Sequence, residues 1–379
     1  MPEVGNEDAL TFKELPTSRL KEFVKLAFDL YRGDRNWVPP LINDQIKTLS
    51  GKDNKFISES EHAFFLGYRK GRPVSRVMVA ANGPLSAKQG LPIATFSLVE
   101  GEDEEALSSI IRKAEGWAKE KGCRKLIGPW SPSNGEDGIG LMVQGFEDPP
   151  VLLNSYNKRW YASVLEGLGY SKLADFVGYR LTESSLPSER LARAAEIALA
   201  RAHVVPSKVE MSKLEEGLSE IFSVMSEAFS ASWYNDMPTW EEFRKLAGPL
   251  SRLADPDLIW LAKDIDTGRA VAFIVALPDW NQVLIKMRGR IFPIGWLHYL
   301  RARKTIKRVR LMMQYCIKEY QGSSVIPALY AKVVENAVRK GMSEGEASVI
   351  LETNLQSRRA IEALGGKLSR VYRWYSKDI

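Results

Sequence analysis

Side chains able to bind an anionic partner are most concentrated between Lys286 and Arg310. This stretch contains nine basic residues and no acidic one, within a chain of net charge +6. Phe292, Trp296, Tyr299 and Leu300 lie among them. A basic stretch with aromatics can hold phosphate groups, nucleic acid or anionic lipid. The interpretation that we favour is a helix with a solvated charged face and an apolar side packed inward.

The cysteine and histidine residues predict no metal site. Cys123 and Cys316 lie far apart, and the three histidines (His62, His203 and His298) are scattered. We therefore expect structural histidines and reduced cysteines, as is usual in the cytoplasm. The chain contains no run of about 18 apolar residues, so the sequence predicts no membrane-spanning helix.

Segments about half a chain apart resemble each other. The matched pairs are Asn157 and Asn354, Leu168-Gly169 and Leu364-Gly365, and Gly71–Val74 and Gly268–Val271. The first and third pairs are separated by 197 positions and the second by 196. Such a shared offset indicates a duplicated module, and a chain of 379 residues is long enough for two domains.

Hydrophobic periodicity and turn residues predict the same order of elements in both halves: helix, hairpin, strand, helix, strand, helix, strand. The first half comprises helix 18–31, hairpin 63–81, strand 93–99, helix 103–121, strand 125–128, helix 158–168 and strand 174–181. The second comprises helices 214–229 and 239–246, hairpin 258–277, strand 309–317, helix 324–340, strand 346–352, helix 357–364 and strand 369–375. A further helix is predicted at 186–205.

This element order resembles the GNAT superfamily of N-acetyltransferases. The resemblance implies an α/β (α+β) fold of two tandem modules, each a mixed, mostly antiparallel sheet flanked by helices. Residues 1–185 would form an N-terminal module, 186–205 a connecting helix, and 206–379 a C-terminal module. In this superfamily, acyl-CoA lies where the fourth and fifth strands splay apart.

The resemblance places the cofactor in the second module. The residues that match the family's pyrophosphate loop are Gln321, Gly322, Ser323, Ser324 and Val325. Their main-chain amides would cradle phosphate at a helix N-terminus, although serine replaces the first signature glycine. The equivalent run in the first module, 99–103, is acidic and would repel phosphate, so that module is predicted to be degenerate.

A second family signature runs from Asn354, which is predicted to contribute to cofactor binding, to Gly365-Gly366. Ile361 occupies the position of the family tyrosine that protonates the leaving thiolate. The resemblance suggests Glu352, at the end of the fifth-strand equivalent, as general base, with a surface or capping role as the alternative. Tyr320, Tyr372 or Tyr375 could substitute as the acid, with packing as the alternative for each, and we select Tyr372.

The segment at the position of the family's substrate loop contains Trp233, Tyr234 and Asp236, which are predicted to bind the acceptor. The resulting hypothesis is an N-acyltransferase that uses acetyl-CoA or another acyl-CoA and acts on a small amine or a peptide. Two alternatives remain. One is an aminoacyl-tRNA-dependent transferase of Fem type, which the basic stretch would suit, although we do not favour nucleic acid as a partner. The other is a non-catalytic binding protein. Oligomeric state is left open.

Overall fold

The computed structural model describes residues 9–133, 135, 137–182, 189–234, 236–291, 295, 297, 300–301 and 305–379, with the backbone alone at 189–192. The helices described are α1 Leu20–Leu30, α2 Ile42–Leu49, α3 Lys55–Glu59, α4 Gly83–Gln89, α5 Glu104–Glu120, α6 Tyr161–Gly167, α7 Glu189–Arg201, α8 Leu214–Ala228, α9 Trp240–Ser251, α10 Asn281–Met287, α11 Val325–Arg339 and α12 Leu355–Ala363. The strands are β1 Thr11–Glu14, β2 His62–Arg69, β3 Arg72–Ala81, β4 Ile93–Gly101, β5 Lys125–Gly128, β6 Leu141–Gln144, β7 Ser171–Leu181, β8 Val204–Lys208, β9 Ile259–Asp264, β10 Ala270–Pro278, β11 Arg308–Cys316, β12 Glu344–Leu351 and β13 Lys367–Asp378.

Contacts divide the chain into two compact units. Unit 1 comprises Met1–Phe176, Asn281–Arg301 and Arg370–Ile379, and unit 2 comprises Val177–Trp280 and Ala302–Ser369. The chain crosses between the units within β7, within β13 and on either side of the 281–301 segment. The module boundaries drawn from the repeat, 1–185 and 206–379, follow a different criterion and stay a prediction.

The sheet of unit 1 has the order β1-β2-β3-β4-β5-β13. Its first three pairings are antiparallel, β4 and β5 are parallel, and β13 is antiparallel to β5. The β2–β3 hairpin turns at Lys70 and Gly71, whose φ angles are 50° and 73°. Positive φ at both central residues matches the twist of the flanking strands, which explains the tight connection.

Alternating side chains of unit 1 fill two apolar clusters. Phe65 and Val77 belong to a cluster with α5 and α6, whereas Phe64 and Met78 belong to a cluster with α1. Successive side chains of a strand point to opposite faces, so this alternation assigns one cluster to each face of the sheet. Helices therefore cover both faces, and β2 and β3 are buried on both.

The sheet of unit 2 has the order β7-β12-β11-β10-β9-β8. The β8–β9, β9–β10 and β10–β11 pairs are antiparallel, and β11 and β12 are parallel. α9 begins with a capping box in which Thr239 and Glu242 exchange hydrogen bonds between side chain and backbone, as the sequence predicts. The mixed, mostly antiparallel sheets flanked by helices confirm the predicted fold class.

Several short elements were not predicted: α2, α3, α4, α10, β1, β6 and β8. β8 contains Pro206, which suggested the end of a helix. Because β8 lies at the edge of its sheet, proline there removes no hydrogen bond that the sheet needs. The start of the connecting helix, 186–188, lies outside the described residues, as do Asn235, Phe292, Trp296, His298 and Tyr299.

Candidate functional site

The two parallel strands of unit 2 separate part of the way along their length. β11 and β12 pair from Arg308 with Glu344 to Leu311 with Ala347, and no later pair is recorded between these two strands. β11 nevertheless continues to Cys316 and β12 to Leu351. The register between β10 and β11 also shifts at Val275, and such bulges bend the strand that carries them. We call the two strand ends that are not paired with each other, 312–316 and 348–351, the fork.

Buried charged groups fix the closed end of the fork. Nε and Nη2 of Arg310 donate to the carbonyl of Ser348 over 3.3 and 3.2 Å. The Ser348 hydroxyl donates to Glu346 over 3.0 Å. Arg308 donates to Asp279 over 2.8 Å, and both side chains are at most 5% exposed. These two arginines end the basic stretch, so this part of it is not the solvated face that we favoured.

The open end of the fork has a largely apolar lining that is only partly buried. The apolar residues along it are Met312, Met313, Tyr315, Val349, Ile350 and Leu351, all of intermediate exposure. Their residue types indicate only two apolar strands, and the separation of the strands was expected from the family resemblance alone. The aromatic ring of Tyr315 lies 5.7 Å from that of Phe273 and 6.5 Å from that of Phe229, between ring centroids.

Gln314 is the polar side chain of this lining that sequence reasoning missed. Its Nε2 lies 3.5 Å from the Ser357 hydroxyl at the start of α12. Its Oε1 is buried and has no hydrogen-bond partner among the described residues. Because buried polar atoms nearly always have a partner, this acceptor suits the amide or hydroxyl of a ligand in the fork.

The loop that joins β11 to α11 contains the predicted pyrophosphate-binding residues. Gln321 Nε2 donates to the Cys316 carbonyl over 3.0 Å, which ties the loop to the end of β11. Gly322 and Ser324 have φ angles of 81° and 63°, the left-handed region, and the Ser323 hydroxyl donates to the Tyr320 carbonyl. The backbone changes direction at these two residues, and α11 begins at Val325.

The N-terminus of α11 is open to an anion. Ser324, at the N-cap, makes no side-chain capping bond, and the first turn of the helix contains no acidic residue. The amides of a first helical turn have no partner within the helix and carry its positive dipole end. The structure therefore brings Gln321, Gly322, Ser323, Ser324 and Val325 together at a helix end that can accept phosphate.

The corresponding helix of unit 1 has its N-terminus occupied. Asp103 Oδ1 accepts the Ala106 amide over 2.8 Å, and Arg69 Nη1 donates to Asp103 Oδ2 over 2.6 Å. Glu104 and Glu105 follow in the first turn, and the Arg69 hydrogen bonds lower the pKa of Asp103. The chain's own carboxylates thus take the place that a phosphate would need.

A second carboxylate near the end of β4, that of Glu100, is buried. The hydroxyls of Tyr31 and Tyr161 donate to Glu100 Oε2 over 2.7 and 2.8 Å, and Arg76 Nη2 lies 3.6 Å from Oε1. Burial raises the pKa of Glu100, while Arg76 and both hydroxyls oppose that shift. This network joins α1, β3, β4 and α6 and leaves little of its polar surface for a ligand.

Glu352 and Asn354 follow β12 directly, at the open end of the fork. Asn354 Oδ1 accepts the Ser357 amide over 3.1 Å and thereby caps α12. The Glu352 carbonyl accepts from Arg358 Nη1 over 2.8 Å, and its side chain is partly exposed. Ile361, at the position of the family tyrosine, is fully buried and belongs to the core. The assigned roles of Glu352 and Asn354 stay predictions.

Tyr372 belongs to unit 1, whereas Glu352 belongs to unit 2. Tyr372 is fully buried, and its hydroxyl accepts from Asn154 Nδ2 over 3.2 Å. Its backbone pairs with that of Met142 in β6. A side chain with no exposed surface is positioned to pack and to hold neighbours, and its predicted role as an acid stays untested.

The predicted acceptor loop lies between α8 and α9. The rings of Trp233 and Tyr234 form an edge-to-face pair with centroids 5.3 Å apart, and Asp236 is exposed. The loop starts at Phe229, the residue that contacts Tyr315 of β11. Its first residue therefore lies beside the open half of β11, and acceptor binding by the loop stays a prediction.

The described parts of the chain show neither a metal-binding cluster nor a membrane-spanning helix. They contain no group of three or more histidine, cysteine or acidic side chains that could hold a metal ion. None of the helices in those parts is both long and apolar enough to cross a bilayer.

Solved structures identify the fold. A tandem GNAT protein of the clavulanic acid biosynthesis pathway matches with a TM-score of 0.58 at 12% identity, covering 98% of both chains. A GCN5-related N-acetyltransferase from Sphaerobacter thermophilus matches with a TM-score of 0.56 at 12% identity, covering 97% of this chain and 95% of that one. The chain has the tandem GNAT fold, which confirms the resemblance seen in the sequence at the level of the fold.

Sequence relatives share the whole length of the chain. It is 28% identical over 382 residues to a Caulobacter vibrioides protein described as bacterial ceramide synthase, covering 99% of this chain and 98% of that protein. It is 27% identical over 376 residues to protein YghO of Escherichia coli, covering 95% and 93%. No protein-family model matches.

Proposed function

We propose that this protein is an acyl-CoA-dependent N-acyltransferase whose second module binds the cofactor, with a long acyl chain in the fork and a lipophilic amino alcohol as acceptor. The observation that carries the proposal is the combination found in unit 2. An apolar fork that stays partly open lies next to a helix N-terminus without acidic residues. The corresponding helix of unit 1, α5, has acidic residues at its N-terminus instead.

The residues of unit 2 fit an acyl-CoA. The amides at the start of α11 would hold its pyrophosphate, and Gln314 Oε1 would accept a hydrogen bond from one of its amide groups. Strand edges that are not paired with each other offer further main-chain partners to an extended ligand. When bound, the cofactor supplies an activated acyl group as a thioester.

The chain's own residues would position the amine against the thioester and remove the amine's proton. Glu352, partly exposed after β12, would take the proton from the attacking amine as general base. Main-chain amides of the fork would polarise the carbonyl that is attacked. A thiolate is a fair leaving group without an acid, so the buried isoleucine at position 361 is compatible with the reaction.

The apolar lining favours a long acyl chain over an acetyl group. Met312, Met313 and Ile350 are partly exposed along the fork, and burying them against an alkyl chain is favourable by about 0.8 kcal/mol per CH₂ group of the chain. Methionine side chains adapt easily to such ligands. A ceramide is the amide of a fatty acid and a long-chain amino alcohol, so the name of the Caulobacter vibrioides relative supports the same acyl class and suggests the acceptor.

Titration of the purified protein with CoA and with acyl-CoAs of increasing chain length tests the proposal. We expect affinity to rise about threefold to fourfold for each CH₂ that the fork buries, and acyl transfer to a long-chain amino alcohol to follow the same order. A Met313→Ser variant should flatten the dependence on chain length while CoA itself binds as before.

The outcomes separate the hypotheses. Equal binding and transfer for acetyl-CoA and long-chain acyl-CoA would refute the assignment of a long chain. Absence of CoA binding together with salt-sensitive tRNA binding would favour the transferase of Fem type. Absence of both would leave a non-catalytic binding protein.

A further inference from the structure

One hydrogen bond joins the loop between β11 and α11 to a hairpin that is distant in sequence. The Tyr320 hydroxyl donates to Asp264 Oδ2 over 2.8 Å. Tyr320 directly precedes the predicted pyrophosphate-binding residues, which begin at Gln321, and Asp264 is the last residue of β9. Both residues belong to unit 2. The bond therefore connects loop 318–324 to the β9–β10 hairpin across 56 positions of the chain.

The Asp264 carboxylate is held in place by its own hairpin. Its Oδ1 accepts the Thr267 amide over 2.8 Å and the Thr267 hydroxyl over 2.7 Å. The Asp264 amide donates to the Arg269 carbonyl over 2.9 Å, and its carbonyl accepts the Gly268 amide over 2.9 Å. Aspartate suits such turns because its side chain accepts from backbone amides that follow it. One oxygen thus fixes the carboxylate, and the other accepts from Tyr320.

The main chain of Tyr320 shapes the turn in front of α11. Its carbonyl accepts both the amide of Ser323, over 3.3 Å, and the Ser323 hydroxyl. Ser324 follows with a φ of 63°, and its carbonyl accepts the Ala328 amide over 3.1 Å in the first turn of the helix. The position of Tyr320 therefore decides where the chain turns and how the first amides of α11 are presented.

Little burial holds this loop in place. Ile317 and Val325, at its two ends, are 2% and 1% exposed, but the side chains between them are exposed or only partly buried. The Gln321 side chain bonds Cys316, five residues away, and fixes the loop locally, whereas Tyr320 reaches a separate hairpin. A loop with few buried contacts opens easily unless hydrogen bonds restrain it.

We propose that Tyr320 and Asp264 are positioning residues of the phosphate site. Their hydrogen bond holds loop 318–324 in the shape that presents the first-turn amides of α11 to a pyrophosphate. This role rests on the proposed function. A ligand that binds one loop conformation loses affinity in proportion to the fraction of the protein in which the loop has another conformation. Restraint of the loop before binding therefore raises the affinity for CoA.

The same bond separates positioning from acid catalysis. The sequence suggested Tyr320 among the tyrosines that could act as the acid. The hydrogen bond to Asp264 raises the pKa of Tyr320, and bonds from Thr267 and Tyr320 hold the pKa of Asp264 at about 2. At neutral pH the hydroxyl keeps its proton and the carboxylate keeps its charge, so the bond persists. Loss of the hydroxyl should therefore lower the affinity for the cofactor and leave the chemical step unchanged.

Calorimetric titration of the full chain with CoA tests the role of the hydroxyl. Tyr320→Phe removes the hydroxyl and keeps the ring. We expect it to bind CoA about fivefold more weakly, with KM for acyl-CoA raised by the same factor and kcat unchanged at saturation. Tyr156→Phe is the matched control. It removes a hydroxyl of unit 1 that donates to another carboxylate, that of Asp34, over 3.1 Å, and CoA affinity should stay the same.

A double variant shows whether the two residues act through one bond. Asp264→Ala and Tyr320→Phe should each weaken CoA binding when made alone. Combined, they should weaken it no more than the larger single effect, because both remove the same interaction. Independent contributions would multiply instead.

Hydrogen exchange of the protein without cofactor follows the loop itself. The amides of Tyr320, Gln321 and Ser323 donate to the carbonyls at 317, 318 and 320, so they are protected while the loop keeps its shape. Tyr320→Phe should speed their exchange about fivefold, whereas Tyr156→Phe should not. Unchanged exchange in the remainder of unit 2 shows that the variant is folded.

Unchanged CoA affinity in Tyr320→Phe would overturn the proposal, and a lower kcat beside it would indicate an acid. Unchanged exchange of the loop, equal losses of affinity in Tyr320→Phe and Tyr156→Phe, or losses that multiply in the double variant would overturn it too. Absence of CoA binding by the unaltered protein would refute the proposed function. The exchange measurement would still decide whether the bond holds the loop, because it needs no cofactor.

Discussion

Placing one carboxylate at the N-terminus of α11 should weaken CoA binding while it strengthens the fold. Ser324 has φ 63° and no capping bond of its own, and aspartate tolerates this left-handed conformation better than most residues. Ser324→Asp adds a negative charge to the positive end of the helix dipole. We expect a gain of about 0.5 kcal/mol in the free energy of unfolding.

The same charge opposes the pyrophosphate. Two unit charges 4 Å apart interact by about 1 kcal/mol in water and about 4 kcal/mol near a protein surface. Because Ser324 is exposed, we take the lower part of that range, about 1–2 kcal/mol. The expected result is CoA binding about tenfold weaker, with a difference that shrinks as ionic strength rises.

Calorimetric titration with CoA and thermal unfolding of the same samples measure both effects. Ser324→Asn is the matched control, since it has nearly the same shape without the charge. Asp103→Asn at the N-terminus of α5 is a second control and should leave CoA affinity unchanged. Equal CoA affinities for Ser324→Asp and Ser324→Asn would refute the placement of the pyrophosphate at α11. If the expected loss of affinity is seen, a weaker fold cannot explain it, because Ser324→Asp should stabilise the fold.

Three further predictions concern single side chains. Glu352→Gln should lower kcat about 10²–10⁴-fold with CoA affinity unchanged, which steady-state kinetics and titration check. Arg76→Met leaves Glu100 buried without its cation and should cost about 3 kcal/mol in urea unfolding, more than the double variant with Glu100→Gln. Asp257 accepts from two lysines that hold its pKa at about 2. A carboxyl with a lowered folded-state pKa adds stability that is fully present above its unfolded pKa and is lost as pH falls through its folded pKa. In urea unfolding, Asp257→Asn should therefore cost about 1 kcal/mol at neutral pH and progressively less as pH falls to about 2.

The long helices and strands could be predicted from the sequence because capping residues and the pattern of apolar residues indicate the same element at each place. Asp103 caps α5 and acidic residues follow it, while its apolar face is buried. Thr239 and Glu242 form the expected capping box. Elements such as β1 escaped prediction because they are short and their residues are mostly exposed. Their formation depends on pairing with a neighbour that is distant in sequence.

The candidate site was only partly readable for a different reason. A loop with Gly322 and the serines beside it can be recognised from residue types, because main-chain donors need small neighbours. The fork depends on where pairing between β11 and β12 stops, which is a property of two strands together. Gln314 and the partly exposed methionines were therefore invisible as site residues, although their strand was predicted.

Burial of charge also explains how the two units can differ in what they bind. In unit 1, carboxylates occupy the helix end and Glu100 is enclosed by Arg76 and two hydroxyls, so the polar groups stabilise the fold and have little capacity for a ligand. In unit 2, the buried arginines, Arg308 and Arg310, lie only at the closed end of the fork. Toward its open end, Gln314 Oε1 has no hydrogen-bond partner among the described residues. The first-turn amides of α11 and the Gln314 Oε1 acceptor both need a hydrogen-bond partner, which solvent or a ligand must supply. Selection for ligand binding is therefore expected to act on unit 2, and selection for stability on unit 1.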